Sequence, residues 1–126
     1  MIILDSCILI EIQRGNKAII EKIYEYNQHD LFTTPIVVAE FYRGARNKQE
    51  FSQCKRLIKK FSVLAINKEV TEVFTDFFDK FAISHRPSIP DMLIAATAIH
   101  YNFSIFTLNK KDFRFINNLT LIDIDN

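Results

Sequence analysis

Apolar residues along the chain keep two rhythms, short unbroken runs and longer stretches in which they recur every third or fourth position. The runs Met1–Leu4, Leu31–Thr33, Val63–Ile66, Ser104–Leu108 and Leu119–Ile124 read as strands of the buried, parallel kind. Helical stretches fall between them, each opened by a residue that can cap it. Ser6 is expected to cap Cys7 to about Arg14, stopped by Gly15, and Asn16 a second helix with Ile19, Ile20, Ile23 and Tyr24 on one face. Thr34-Pro35 predicts a helix to Gly44, a charged amphipathic helix follows from about Gln49 to Phe61, and Asn67 heads one carrying Val70, Val73, Phe74, Phe77 and Phe81. After a loop at Ser84–Pro87, Ser88-Ile89-Pro90-Asp91 opens a helix that stays apolar or small through Ile99, with Asn102 placed to end it in a left-handed conformation. Lys110 to Phe115 reads as a short helical turn.

Strands alternating with helices predict an α/β fold of three layers, a mostly parallel central sheet with helices on both faces. The 126 residues suit one domain, 1–126, with no repeat or linker. The longest apolar stretches fall short of a membrane span, and the first is interrupted by Asp5 and Glu11 without a basic leader, so a cytoplasmic protein with no membrane role is expected. Cys7 and Cys54 have no metal-ligand spacing and read as reduced thiols.

Four acids stand out by position. Asp5 follows the first strand directly, Glu40 lies in the second turn of the helix after the second strand, Asp91 opens the apolar helix, and Asp112 follows the fourth strand. In open α/β sheets such positions gather outside the carboxyl ends of the strands. Each acid has a plain explanation alone: a cap for Asp5, a salt bridge to Arg43 or Arg46 for Glu40, a dipole-favoured and ionised first-turn residue for Asp91, and a solvated acid for Asp112. Together they need a compensating charge, because two unit charges about 4 Å apart repel by about 4 kcal/mol at an effective dielectric of 20. An all-oxygen donor set suits Mg²⁺ or Mn²⁺, which can activate water and hold a scissile phosphate.

Net charge is +1, yet with these four set aside 11 of the 15 acids face 16 bases, a surface compatible with a polyanion. No GxxxxGK[ST], GxGxxG or GxSxG stretch is present, and His29, His85 and His100 are scattered, so nucleotide-triphosphate, dinucleotide, serine-hydrolase and histidine-based nuclease chemistries are not proposed.

The stretches Ile2-Ile3-Leu4-Asp5-Ser6, Val38-Ala39-Glu40-Phe41-Tyr42-Arg43-Gly44-Ala45, Ile89-Pro90-Asp91-Met92-Leu93-Ile94-Ala95-Ala96-Thr97-Ala98 and Phe106-Thr107-Leu108-Asn109-Lys110-Lys111-Asp112-Phe113 together resemble the PIN-domain family. Within it they resemble the ribonuclease toxins of VapBC-like type II toxin-antitoxin pairs. The resemblance implies a PIN-like fold and a metal-dependent endoribonuclease that hydrolyses RNA with a metal-activated water, leaving 5′-phosphate and 3′-hydroxyl ends. Asp5, Glu40, Asp91 and Asp112 would be the catalytic metal carboxylates, with Ser6, Thr107 and Asn109 in support. Relatives place the fourth acid at the site of either Asn109 or Asp112, and here only Asp112 is an acid. Lys110, Lys111 and Arg43 are expected to meet RNA phosphates, with Arg14, Arg46 and Arg86 as further candidates. A cognate antitoxin and a homodimer are implied partners. The competing reading is a non-catalytic α/β module that binds RNA or protein.

Overall fold

The computed structural model describes residues 1–125. Five strands, β1 (Ile2–Leu4), β2 (Leu31–Thr33), β3 (Ser62–Val63), β4 (Ser104–Phe106) and β5 (Leu121–Ile122), form one sheet in the order β3-β2-β1-β4-β5. Every pairing is parallel, so the expected mostly parallel sheet is wholly so among the described residues. In β1, Ile3 pairs with Phe32 on one side and Ile105 on the other, and Ile2, Ile3 and Leu4 are buried. A strand flanked on both edges and covered on both faces needs an unbroken apolar run, which is what β1 supplies.

Six helices link the strands: α1 (Ser6–Gln13), α2 (Lys17–Tyr24), α3 (Pro35–Arg43), α4 (Lys48–Ile58), α5 (Lys68–Phe81) and α6 (Ile89–Tyr101). Right-handed crossovers put α1 to α4, which serve β1→β2→β3, on one face, and α5 and α6, which carry the chain back from β3 to β4, on the other. Caps fix the starts. The side chains of Asn16, Thr34, Asn47, Asn67 and Ser88 accept from backbone N–H groups three residues on, and Pro35 and Pro90 occupy first-turn positions. Asn102 ends α6 at φ 59°, as its position predicts.

Several local expectations change, and the last strand, expected over Leu119–Ile124, is only Leu121–Ile122. The cap of α1 is Asp5, not Ser6, because Asp5 Oδ1 accepts the Ser6 N–H at 2.8 Å and the helix then begins at Ser6. The third strand is Ser62–Val63, earlier and shorter than Val63–Ile66: beyond it only the Leu64 N–H bond to the Thr33 carbonyl, 2.9 Å, continues the edge, and the chain then turns toward the Asn67 cap.

β1 is the centre of this arrangement. Ile3→Ala removes a fully buried branched side chain from it and is expected to lower unfolding stability by roughly 2–5 kcal/mol, read from the midpoint of urea denaturation.

Candidate active site

The chain direction across the sheet reverses at β1. Connections leave it toward β2 and β3 on one side, then return to β4 on the other, so the segments that follow β1 and β4 diverge just past strands still paired at Leu4 and Phe106. Ligand crevices of open α/β sheets form at such a point. Asp5 stands just past β1 and Thr107 just past β4, both buried, and Thr107 Oγ1 donates to Asp5 Oδ2 at 2.7 Å. The Asn109 N–H donates to Thr107 Oγ1 at 3.0 Å, which directs the threonine proton toward the carboxylate. With Ser6 N–H on its other oxygen, Asp5 is held at both ends.

Ser6 reaches further. Its side chain is the one influence that lowers the Glu40 carboxyl, so one residue acts between the acid after β1 and the acid on α3. Glu40 as a residue is exposed, yet its carboxyl is partly enclosed. Burial pushes that carboxyl above the ordinary carboxylate value, the charges of Asp5 and Asp91 push the same way, and Ser6 opposes them. Asp91 is likewise raised, first by burial, with the Ser88 hydroxyl pulling down and the charges of Asp5 and Asp112 pushing up. The helix-start reading of Asp91 captured the lowering influence alone. Glu40 on α3 therefore feels Asp5 and Asp91, and Asp91 in the first turn of α6 feels Asp5 and Asp112.

Asp112 ends a turn of 3-10 helix, Lys110–Asp112, and shares with Asp91 a cavity of about 330 Å³ whose walls also include His85, Arg86, Lys111 and Phe115. Asn109 is exposed and contributes its backbone to Thr107, with no side-chain cap of the turn it precedes. Of the three cations expected at phosphate, Lys111 alone lines this cavity. Lys110 Nζ pairs with Asp123, and Arg43 lines a different hollow with Tyr42, Arg46 and Lys48. One residue near the acids was read in sequence only as a reduced thiol. Cys7 Sγ lies 3.7 Å from Asp5 Oδ2 and 3.6 Å from Thr107 Oγ1, and accepts from the Leu108 N–H at 3.4 Å. Burial, then the neighbouring Asp5 charge, raises its thiol above the usual value, so it packs behind Asp5 as a neutral group and not as a nucleophile. Nothing but its place after Asp5-Ser6 could have signalled it.

The donor chemistry fits a hard divalent cation, all oxygen with carboxylates that gain from a positive neighbour. Among the described residues no three acidic, histidine or cysteine side chains stand close enough to hold an ion between them. Oxygens offered in ones and twos suit Mg²⁺ or Mn²⁺ better than Ca²⁺ or Zn²⁺, since Mg²⁺ keeps much of its water and takes only one or two carboxylates.

The family model described as PIN domain matches residues 2–118. The chain belongs to the PIN-domain family. Among proteins similar to this PIN domain, Ribonuclease VapC of Rickettsia bellii (strain RML369-C) is 31% identical, the match spanning 98% of this chain and 96% of the relative. Ribonuclease VapC1 of Rickettsia felis is 30% identical with the same coverage. In three dimensions this PIN domain superposes on VapBC-1 of nontypeable Haemophilus influenzae with a TM-score of 0.85 and 25% identity, covering 100% of both chains.

The raised carboxyls give a signed pH dependence. A carboxylate whose pKa rises on folding binds its proton more tightly when folded, so folding loses stability as pH climbs from the unfolded pKa through the raised folded one. Above the raised pKa, without metal, that cost is fully present. Asp91→Asn is accordingly expected to melt higher than the parent at pH 7 in EDTA, with the difference shrinking as pH falls into the ordinary carboxylate range, measured by thermal melts across pH.

Proposed function

We propose that this PIN domain is a divalent-metal-dependent endoribonuclease of the VapC kind, acting in the cytoplasm on RNA phosphodiesters as the toxin of a toxin-antitoxin pair. The observation that carries the reading is the mutual action of Asp5, Glu40, Asp91 and Asp112 at the one crevice the topology creates. Near-full-length similarity to ribonucleases favours catalysis over the alternative of a non-catalytic binding module.

In this reading the cation would take one or two of Asp5, Glu40 and Asp91 directly and the rest through its own retained water, with Asp112 completing the acidic lining beside Asp91. When bound, Mg²⁺ or Mn²⁺ supplies Lewis-acid polarisation of the scissile phosphate and a water nucleophile at neutral pH. The chain's own groups set the positions. Thr107 and the Ser6 N–H fix the two oxygens of Asp5, while the Ser6 side chain favours the ionised form of Glu40. Ser88, which caps α6 by accepting the Asp91 N–H at 3.1 Å, fixes the backbone from which Asp91 projects. Lys111 brings positive charge to the phosphate from the turn after β4.

A protein partner is part of the proposal. An apolar groove of about 280 Å³ lies between α1, α2 and α4, lined by Ile12, Ile20, Ile23, Tyr24, Leu57 and Phe61, and Tyr24 at its rim is 82% exposed. Such a face supports a cognate antitoxin, with a homodimer of the toxin as the further expected assembly. On α3 and α4, Val37, Phe41 and Ile58 are core residues and take no part in that face.

Purified protein incubated with RNA is expected to cleave it with Mg²⁺ or Mn²⁺ and not with EDTA, and Asp91→Asn prepared identically is expected to lose at least about 100-fold in rate, in line with the removal of a charged transition-state contact. Full activity in the variant, or cleavage that ignores EDTA, would contradict the assignment.

A further inference from the structure

The cavity beside Asp91 and Asp112 has a wall that the carboxylate chemistry does not use. His85 stacks on Phe115 with ring centroids 4.4 Å apart and planes 18° from parallel, and Phe81 closes the group edge-on to both, at 5.4 Å from His85 and 4.9 Å from Phe115. The Ser84 hydroxyl and His85 Nδ1 are 2.8 Å apart, which fixes the imidazole in its plane, and the residue is exposed. An aromatic stack with one open end is thereby held at the rim of an acidic crevice.

Two cations flank it. Arg86 and Lys111 both line the cavity and make no ion pair among the described residues, whereas Arg14, Lys22, Arg46 and Lys110 each have a carboxylate partner. Arg86 also stands where its side chain is sterically unwelcome. Its N–H and that of His85 both bond to the Phe81 carbonyl, at 3.2 and 2.9 Å, closing the end of α5, and Arg86 takes φ 43° there. A helix end closed this way favours glycine, which has no Cβ to clash. An arginine at such a position is not explained by the fold.

We infer that the hollow between His85, Phe115, Arg86 and Lys111 is a nucleotide subsite of the nuclease centre, in which an unpaired base of single-stranded RNA extends the His85–Phe115 stack while Arg86 and Lys111 hold the adjoining phosphate. The inference rests on the endoribonuclease reading for the role of its neighbour acids. At about 330 Å³ the hollow falls at the lower end of the range for small-ligand pockets, which begins near 300 Å³. Its chemistry is that of single-strand recognition, where bases stack on aromatic rings and cations track the backbone. Double-stranded RNA keeps its bases stacked within the helix and cannot use it. The subsite adjoins Asp91, so it places the nucleotide next to the bond that is cut.

The test measures binding, separately from cleavage. A short fluorescein-labelled single-stranded RNA is titrated in EDTA against parent, His85→Ala, His85→Phe and Arg86→Gly proteins, over a series of salt concentrations. His85→Ala is expected to weaken binding at least about fivefold, the lower end of base-stacking effects, and His85→Phe to restore it by keeping an aromatic face. Arg86→Gly, which removes the strained side chain, is expected to melt no lower than the parent while reducing the salt slope by about 0.7, one phosphate contact on a single strand. Parent-like affinity in His85→Ala, a parent-like salt slope in Arg86→Gly, or no RNA binding by the parent overturns the subsite. Metal-dependent cleavage by the parent judges the nuclease reading on its own: a parent that cuts RNA while these variants bind normally removes the subsite alone, and one that binds through His85 and Arg86 without cutting removes the nuclease reading alone.

Discussion

Like charges gathered where a parallel sheet opens are the constraint that organises this molecule. Asp5 cannot move away, because its two oxygens are taken by the Ser6 N–H and the Thr107 hydroxyl, one from each side of the crevice between β1 and β4. Glu40 and Asp91 arrive from helices on opposite faces of the sheet, and both carboxyls are driven up by enclosure and by their neighbours' charge. A fold selected only for stability would separate such groups or pair them with cations. Here the cations with carboxylate partners, Arg14, Lys22, Arg46 and Lys110, pair with other acids.

The topology explains why the acids meet. A sheet ordered 3-2-1-4-5 has its reversal at the first strand, so the residue that ends that strand is automatically at the crevice. The short apolar strands and small-residue helix α6, with Ala95, Ala96 and Ala98 buried, let the layers pack closely enough for loops from β1, β4, α3 and α6 to share one edge. Site and core are thus set by the same elements. Loss of packing at β1 would disturb Asp5 before any residue of the site itself was changed.

Much of this was written in local signals. Thr34-Pro35, Asn67, Ser88-Ile89-Pro90 and Asn102 each announced a helix boundary through a backbone requirement that few residue types meet, and the structure places caps at all of them. The β3 edge was misplaced because a two-residue strand exposed to solvent carries almost no pattern to read. Asp5 as the cap of α1 was ambiguous in sequence, since Asp5 and Ser6 are both good caps and the backbone decides between them. At the site, the four acids were legible only by their shared position beyond the strand ends, since each alone has a local explanation. Their surroundings were not: His85 and Phe115 lie thirty positions apart and meet only through the packing of α5 against the turn after β4, and the diversion of Lys110 to Asp123 depends on the last strand. Pairings of that kind leave no periodic trace.

The central claim is that the carboxylates' mutual repulsion is relieved by a divalent cation bound among them. The direct measurement is the melting temperature of the parent protein and of Glu40→Gln as Mn²⁺ is raised from zero. A cation that binds the folded chain alone stabilises it by about 2.7 kcal/mol at a hundredfold excess over the dissociation constant. The account predicts that the parent climbs in this way and that Glu40→Gln, already relieved of one charge, starts higher in EDTA and gains less. A parent whose melting temperature is unmoved by Mn²⁺, or a variant that starts lower and gains as much, would contradict it.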